Sequence, residues 1–154
     1  MDKAYEIVRL LMTKAARRLR REGYYCSSLW CLSIPDGHWS RHQRLPVVND
    51  DQAVLSGLAA LWQQARQTLP RTITIFRASV ALGDISFATE RQMDMLLNDD
   101  AKRQKWERIT AATDALNSRY SRTVVSIGPW QPPAGGHVGG KISYTRVPSA
   151  EDFW

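Results

Sequence analysis

The sequence predicts an α+β protein: a four-stranded, mainly antiparallel sheet with two helices on one face, an added N-terminal helix and an irregular C-terminal tail. Three observations predict it. Apolar residues recur at helical spacing near residues 2–22, 51–68 and 101–120. Runs rich in aromatic and β-branched residues lie at 24–34, 38–47 and 72–85. Turn and breaker residues separate the two kinds: Gly23, the run Pro35-Asp36-Gly37, and Pro70.

The first helix carries an apolar stripe of Tyr5, Val8, Leu11 or Met12, Ala15 and Leu19, and Gly23 terminates it. Tyr24 to Ile34 and His38 to Val47 then form a hairpin about Pro35-Asp36-Gly37. Asn49, Asp50 or Asp51 caps the next helix, where acids suit its positive end. Val54, Leu58, Leu61, Trp62 and Ala65 make its buried face, and Pro70 stops it. A long strand is expected over Thr72 to Ile85, with Ile73, Ile75, Val80 and Leu82 toward the core and a bulge where parity breaks near Arg77-Ala78. In the third helix Trp106, Ile109, Thr113, Leu116 and Tyr120 share a face. Thr123 to Ile127 reads as a short strand, residues 129–140 as a Pro- and Gly-rich loop, and Lys141 to Val147 as a further strand.

The chain of 154 residues is long enough for one core. No apolar run approaches the roughly 18 residues a membrane span needs. The N-terminus reads as a helix and not as a signal peptide, and two cysteines do not make a disulfide scaffold. A bacterial-type cytoplasmic protein with reduced thiols is the expectation. The net charge is +6 at pH 7, which favours nucleic acid or another anionic partner. Lys3, Arg9, Lys14, Arg17, Arg18, Arg20 and Arg21 load the first helix, and Arg41, Arg44, Arg66, Arg71 and Arg77 follow.

The connector before the third helix is unusual, because linkers face water and this one is apolar. Gln92, Met93, Asp94, Met95 and Leu96 follow one another there, with the acids Asp99 and Asp100 behind them. Their spacing resembles the short peptide, Gln-Leu-Asp/Ser-Leu-Phe, by which bacterial DNA polymerases hold the sliding clamp. Leu96 stands where that peptide has Phe, and Met93 and Met95 stand for Leu. Met is adaptable enough to fill such pockets.

Further landmarks occur in order: Arg17-Arg18-Leu19-Arg20-Arg21-Glu22-Gly23, Trp39-Ser40-Arg41-His42-Gln43-Arg44-Leu45-Pro46, Asn49-Asp50-Asp51 with Leu61-Trp62, and Arg77-Ala78-Ser79-Val80-Ala81-Leu82. The connector is followed by Asp114-Ala115-Leu116-Asn117-Ser118-Arg119-Tyr120 and by Lys141-Ile142-Ser143-Tyr144-Thr145-Arg146-Val147-Pro148. Together they resemble the C-terminal little finger domain of a bacterial Y-family (translesion) DNA polymerase, of the DNA polymerase IV kind.

The resemblance implies a non-catalytic module that grips the backbone of a template–primer duplex, in a parent enzyme active in DNA repair, damage bypass and the SOS response. It implies a little finger core over 24–128 that includes the clamp-like linker 90–100, with the helix 1–23 before it and the segment 129–154 after it. The partners would be duplex template–primer DNA, the sliding clamp and a polymerase core. The catalytic carboxylates of the family and their magnesium belong to a palm domain that this chain lacks, so no cofactor, metal or catalytic residue is expected here. The expected DNA-binding residues are Arg20, Arg21, Trp39, Arg41, Arg44 and Arg77, and the clamp-binding ones Gln92, Met93, Met95 and Leu96. Only Arg77 carries over from a strand position where the family often has two adjacent arginines, since Phe76 precedes it.

Two readings from other classes stand beside this one. One is a protein-interaction module that binds only the clamp. The other is a small metal-dependent nuclease or nucleotidyltransferase using Asp84, Asp99 or Asp100. Zinc is disfavoured: six residues separate Cys31 from His38 where a finger needs about twelve, and Cys26 and Cys31, five apart, are expected on opposite faces of a strand. Gly135-Gly136-His137-Val138-Gly139-Gly140 lacks the following Gly-Lys-Ser/Thr of a phosphate loop.

Overall fold

The computed structural model describes residues 2–33, 39–70, 72–75, 77–87 and 100–129. Their order is α1 (Asp2–Arg21), β1 (Tyr24–Ser33), β2 (Trp39–Val48), α2 (Asp51–Thr68), β3 (Ala78–Phe87) and α3 (Asp100–Arg119). The chain divides into two compact units, Met1–Met93 and Asp94–Trp154, so the division falls within the range 24–128 expected as one core.

In the first unit the three strands form an antiparallel sheet in the order β2-β1-β3. The four-stranded sheet expected from sequence is therefore three-stranded among the described residues. Helix α1 packs over β3, α2 over β2, and the helices touch each other. Thus α1 is one of the two helices that cover the sheet, not an addition to it. Its buried stripe is Val8, Met12, Ala16 and Leu19, which settles Met12 over Leu11 and moves the alanine contact from Ala15 to Ala16. On α2 the buried face includes Val54, Leu58, Leu61, Trp62 and Ala65, as the spacing predicts.

Local chemistry fixes the element ends. Gly23 adopts φ +76°, a left-handed turn that a side chain would strain, and its N–H donates to the Arg20 carbonyl at 2.9 Å. Asp50 is the N-cap of α2: its Oδ1 accepts from the Ala53 N–H at 2.9 Å. At the other end the Leu69 N–H donates to Ala65 O before Pro70.

Two features of the strands differ from expectation. Strand β3 begins at Ala78, so the parity break near Arg77-Ala78 is the start of the strand and not a bulge within it. The irregularity lies elsewhere. The β1–β2 register shifts between Cys26 and Ser28, and Asp84 of β3 takes φ 49° while its carbonyl accepts from the Ser27 hydroxyl at 3.3 Å. The consequence is that Cys26 and Cys31 are both fully buried in one core, although five residues apart on a regular strand they would face opposite ways.

The second unit is built on α3. Thr110, Thr113 and Asn117 are buried there, whereas Leu116 and Tyr120 are exposed, so the inward face is rotated from the apolar stripe read in the sequence. Asn117 explains the rotation. Its Oδ1 accepts from the N–H groups of Val124 (2.7 Å) and Val125 (3.0 Å), and its Nδ2 donates to Val125 O at 2.8 Å. The expected strand over 123–127 has no regular structure, because the polar groups of Val124 and Val125 bond to this side chain and not to a neighbouring strand. The helix ends through Ser121 at φ 50°, with N–H bonds from Ser121 to Ser118 O and from Arg122 to Asn117 O. The possible strand Lys141 to Val147 lies outside the described residues.

Candidate nucleic-acid interface

Among the described residues of the first unit, both helices lie on one side of the sheet, and its other face, called the open face, carries no helix of that unit. Leu29 and Cys31 point to the helices; a Cβ built on Gly57 of α2 would stand 2.8 Å from Leu29 Cδ2. The intervening Trp30 and the preceding Ser28 point the other way, because a Cβ on Gly83 of β3 would stand 2.8 Å from Ser28 Oγ and 3.4 Å from Trp30 Nε1. Register completes the open face. Trp30 lies between His42 and Ala81, and Ser28 between Arg44 and Gly83.

Trp30 and His42 are stacked, with ring centroids 4.7 Å apart and 28° between planes. Trp30 remains 40% exposed. His42 and Arg44 are exposed as well. Arg77 is exposed and immediately precedes β3. Cationic groups thus flank a low surface of Ser, Ala and Gly, and the open-face positions from Ser28 to Trp30, Ser40 to Arg44 and Ser79 to Gly83 hold no carboxylate.

The other expected residues sit differently. Arg20 is turned inward: its Nη1 donates to Asp51 Oδ1 at 2.7 Å and to Asn49 O at 2.8 Å. Arg20 thereby holds α1 to the start of α2. Arg21 is exposed at the end of α1 and lies 3.6 Å from Glu22. Trp39 is a core residue, 7% exposed, whose Nε1 donates to Thr68 Oγ1 of α2 at 2.9 Å. Arg41 pairs with Cys31 on the helix side, lies 6.0 Å from the Trp39 ring centre and donates to Ser40 O. Of the hairpin arginines, Arg44 alone is on the open face.

Sequence reading did not single out Trp30 and His42, which the register places on this face. The signal was available in part, since both fall in strand phase with Ser28 and Arg44. Gln92, Met93, Met95 and Leu96 lie outside the described residues.

The tempting metal ligands are dispersed. Cys26 and Cys31 are on the helix side, His42 is on the open side, and His38 lies outside the described residues. Burial, and for Cys26 also the Asp50 carboxylate, pushes each thiol up to about 11, so neither is an ionised ligand or nucleophile near neutral pH. Among the described residues no three His, Cys, Asp or Glu side chains gather in a way that could hold a metal ion. No helix among them is long and apolar enough to cross a membrane.

Residues 1–95, well over half of the 154-residue chain, match the family model described as the impB/mucB/samB family C-terminal domain. The match encloses the whole first unit and its open sheet face. No curated protein and no solved structure matches the chain.

Proposed function

The chain belongs to the impB/mucB/samB family through this C-terminal domain of Y-family DNA polymerases, and from that premise we propose that the open sheet face grips the sugar–phosphate backbone of a template–primer duplex. The observation that carries the proposal is the placement of Arg44 on the sheet face opposite α1 and α2, where the positions from Ser28 to Trp30, Ser40 to Arg44 and Ser79 to Gly83 hold no carboxylate, with exposed Arg77 immediately before β3. Such a surface fits a repeating anion and reads no base sequence. It positions DNA and makes no bond, so the chemistry belongs to a polymerase core.

The parent is proposed to be a damage-bypass enzyme of the bacterial DNA polymerase IV kind. The order of motifs along the chain supports this finer assignment. The peptide from Gln92 to Leu96 is proposed to hold the sliding clamp. Replacing Gln92 and Met95 together with alanine is expected to abolish clamp binding with the fold unchanged.

The direct test is titration of the chain with a labelled template–primer duplex at low and at physiological salt. Backbone gripping predicts tight binding at low salt, steep weakening as salt rises, and the same behaviour for unrelated sequences. Absence of low-salt binding would refute the role of the open face.

A further inference from the structure

We infer that the second unit holds an acidic segment of a partner protein. Apolar side chains of that segment seat on Leu116, Tyr120, Val124 and Val125, and its carboxylates meet Arg119 and Arg122. Helix α3 and the residues after it lie beyond the family match over residues 1–95, and duplex gripping by the first unit assigns them no task. The four apolar residues keep 43%, 55%, 40% and 40% of their surfaces in water, in that order. The Tyr120 N–H donates to Leu116 O at 3.2 Å, so these two side chains stand one turn apart on the same side of the helix end. Val124 and Val125 are held beside Asn117, whose Oδ1 accepts from both of their N–H groups and whose Nδ2 donates to Val125 O. The apolar side chains thus stand on a backbone already fixed by hydrogen bonds, which lowers the ordering cost of docking.

Single apolar residues on a surface need no partner, but a cluster of large ones marks an interaction site. Charge selects what docks there. From residue 101 to 129 the exposed charged side chains are Lys102, Lys105, Arg108, Arg119 and Arg122, all cationic, while the acids Glu107 and Asp114 are half-buried. Arg119 is three residues from Leu116 and next to Tyr120, and Arg122 lies between Tyr120 and Val124, so cations border the apolar cluster. An apolar centre with a charged rim, Tyr and Arg among its members, has the composition of a protein–protein interface. A DNA backbone would match the cations and bury none of the apolar side chains. A helix that lies on an anionic membrane carries apolar residues along its length, whereas the large exposed ones here are confined to the last turn of α3 and the segment after it. The occupant is therefore a protein segment with apolar side chains set between Asp or Glu residues.

The test titrates the full chain, by fluorescence anisotropy, with two labelled peptides that share leucines at helical spacing and differ only in carrying Glu or Lys beside them. A labelled DNA duplex and vesicles of anionic phospholipid are the other probes. The expected result is that the Glu peptide binds and the Lys peptide does not. Leu116→Ser combined with Tyr120→Ser weakens the Glu peptide roughly tenfold or more and leaves duplex affinity unchanged. Arg119→Glu combined with Arg122→Glu keeps the apolar residues and reverses the preference, so that the Lys peptide binds instead. Both double variants alter exposed residues only. Failure of the Glu peptide to bind overturns the inference, and so does equal binding of the two peptides or a Glu-peptide affinity that either double variant leaves unchanged. Duplex or vesicle binding that falls on substitution of Leu116 and Tyr120 would assign the cluster to DNA or to a membrane, and overturns it too. The duplex-gripping proposal is judged separately, by whether the unaltered chain binds the duplex at low salt.

Discussion

Arg20 at the end of α1 and Asp51 in the first turn of α2 form an ion pair of 2.7 Å, with side chains only 11% and 4% exposed. The same guanidinium nitrogen donates to Asn49 O, so one side chain ties the last turn of one helix to the chain entering the next. Asp51 also sits where the helix dipole favours an anion. Removing the cation would leave a carboxylate and a carbonyl without this donor in a dry site. Arg20→Ala is expected to destabilise the fold by about 3 kcal/mol. Urea unfolding measures this, and a loss below about 1 kcal/mol would mean that water reaches Asp51 freely.

Arg44 and Arg41 are three residues apart on β2 yet serve opposite faces, and DNA binding separates them. Arg44→Ala is expected to lower duplex affinity and to reduce the slope of log K against log salt by about 0.9, the release of one phosphate's counterions. Arg41→Ala, which removes a cation beside Trp39 on the helix side, is expected to leave that slope unchanged. Anisotropy titrations across a salt series decide between them. Equal slope changes for both variants would mean that DNA reaches around the edge of the sheet.

The legible and illegible parts of this fold differ for physical reasons. On α2 the buried face follows from spacing alone, because Val54, Leu58, Leu61 and Ala65 recur at steps of four, three and four residues along one side of the helix. On α1 two apolar residues stand side by side at Leu11-Met12 and again at Ala15-Ala16, and only packing chooses between them. Strand phase is legible only as far as the strand is regular. The irregularity at Ser27 and Asp84 reverses the faces between Cys26 and Leu29, and a Ser-Ser pair announces nothing of the kind. Arg44 could be anticipated from charge, while Arg20 could not be told from it, since both are arginines and their difference is Asp51, distant in sequence.

Crowding between α2 and the sheet is tested at Gly57. A Cβ there would stand 2.7 Å from Leu45 Cδ2 and 2.8 Å from Leu29 Cδ2, so both leucine side chains must move. Alanine improves helix propensity by about 1 kcal/mol, and overpacking of this kind costs about 1–3 kcal/mol. Because Leu29 is fully buried and has little room, Gly57→Ala is expected to lose about 1 kcal/mol net. Thermal unfolding measures it, and a stabilised variant would show that the leucines repack without cost.

The two buried thiols make stability depend on alkaline pH. Burial, joined at Cys26 by the Asp50 carboxylate, raises each from 9.0 to about 11. Below pH 9 both are protonated in the folded and the unfolded chain, and their contribution is fully present. As pH rises from 9 toward 11 the unfolded chain releases protons that the folded chain retains, so stability falls through that window. The urea midpoint of the unaltered chain is expected to fall more steeply over this range than that of Cys26→Ala/Cys31→Ala, in which only other groups titrate. Alkylation at pH 8 is expected to be far slower in the folded chain than in urea. Parallel pH profiles for the two proteins would show that the thiols ionise in place.

Asn117 supplies the clearest test of the second unit. Its fully buried amide makes three hydrogen bonds, all to the backbone of Val124 and Val125, and so acts for those residues as a neighbouring strand would. Asn117→Ala leaves two N–H groups and one carbonyl without these partners. Hydrogen exchange at the Val124 and Val125 amides is expected to accelerate strongly, with about 2–3 kcal/mol lost if water does not replace the bonds. Asn117→Asp separates donor from acceptor. Its carboxylate retains acceptors for both N–H groups but cannot donate to Val125 O, so the two amides should stay protected while stability falls. If instead both amides exchange as fast in the aspartate variant as in the alanine one, the single bond from Nδ2 to Val125 O, and not the pair accepted by Oδ1, is what holds this segment to α3.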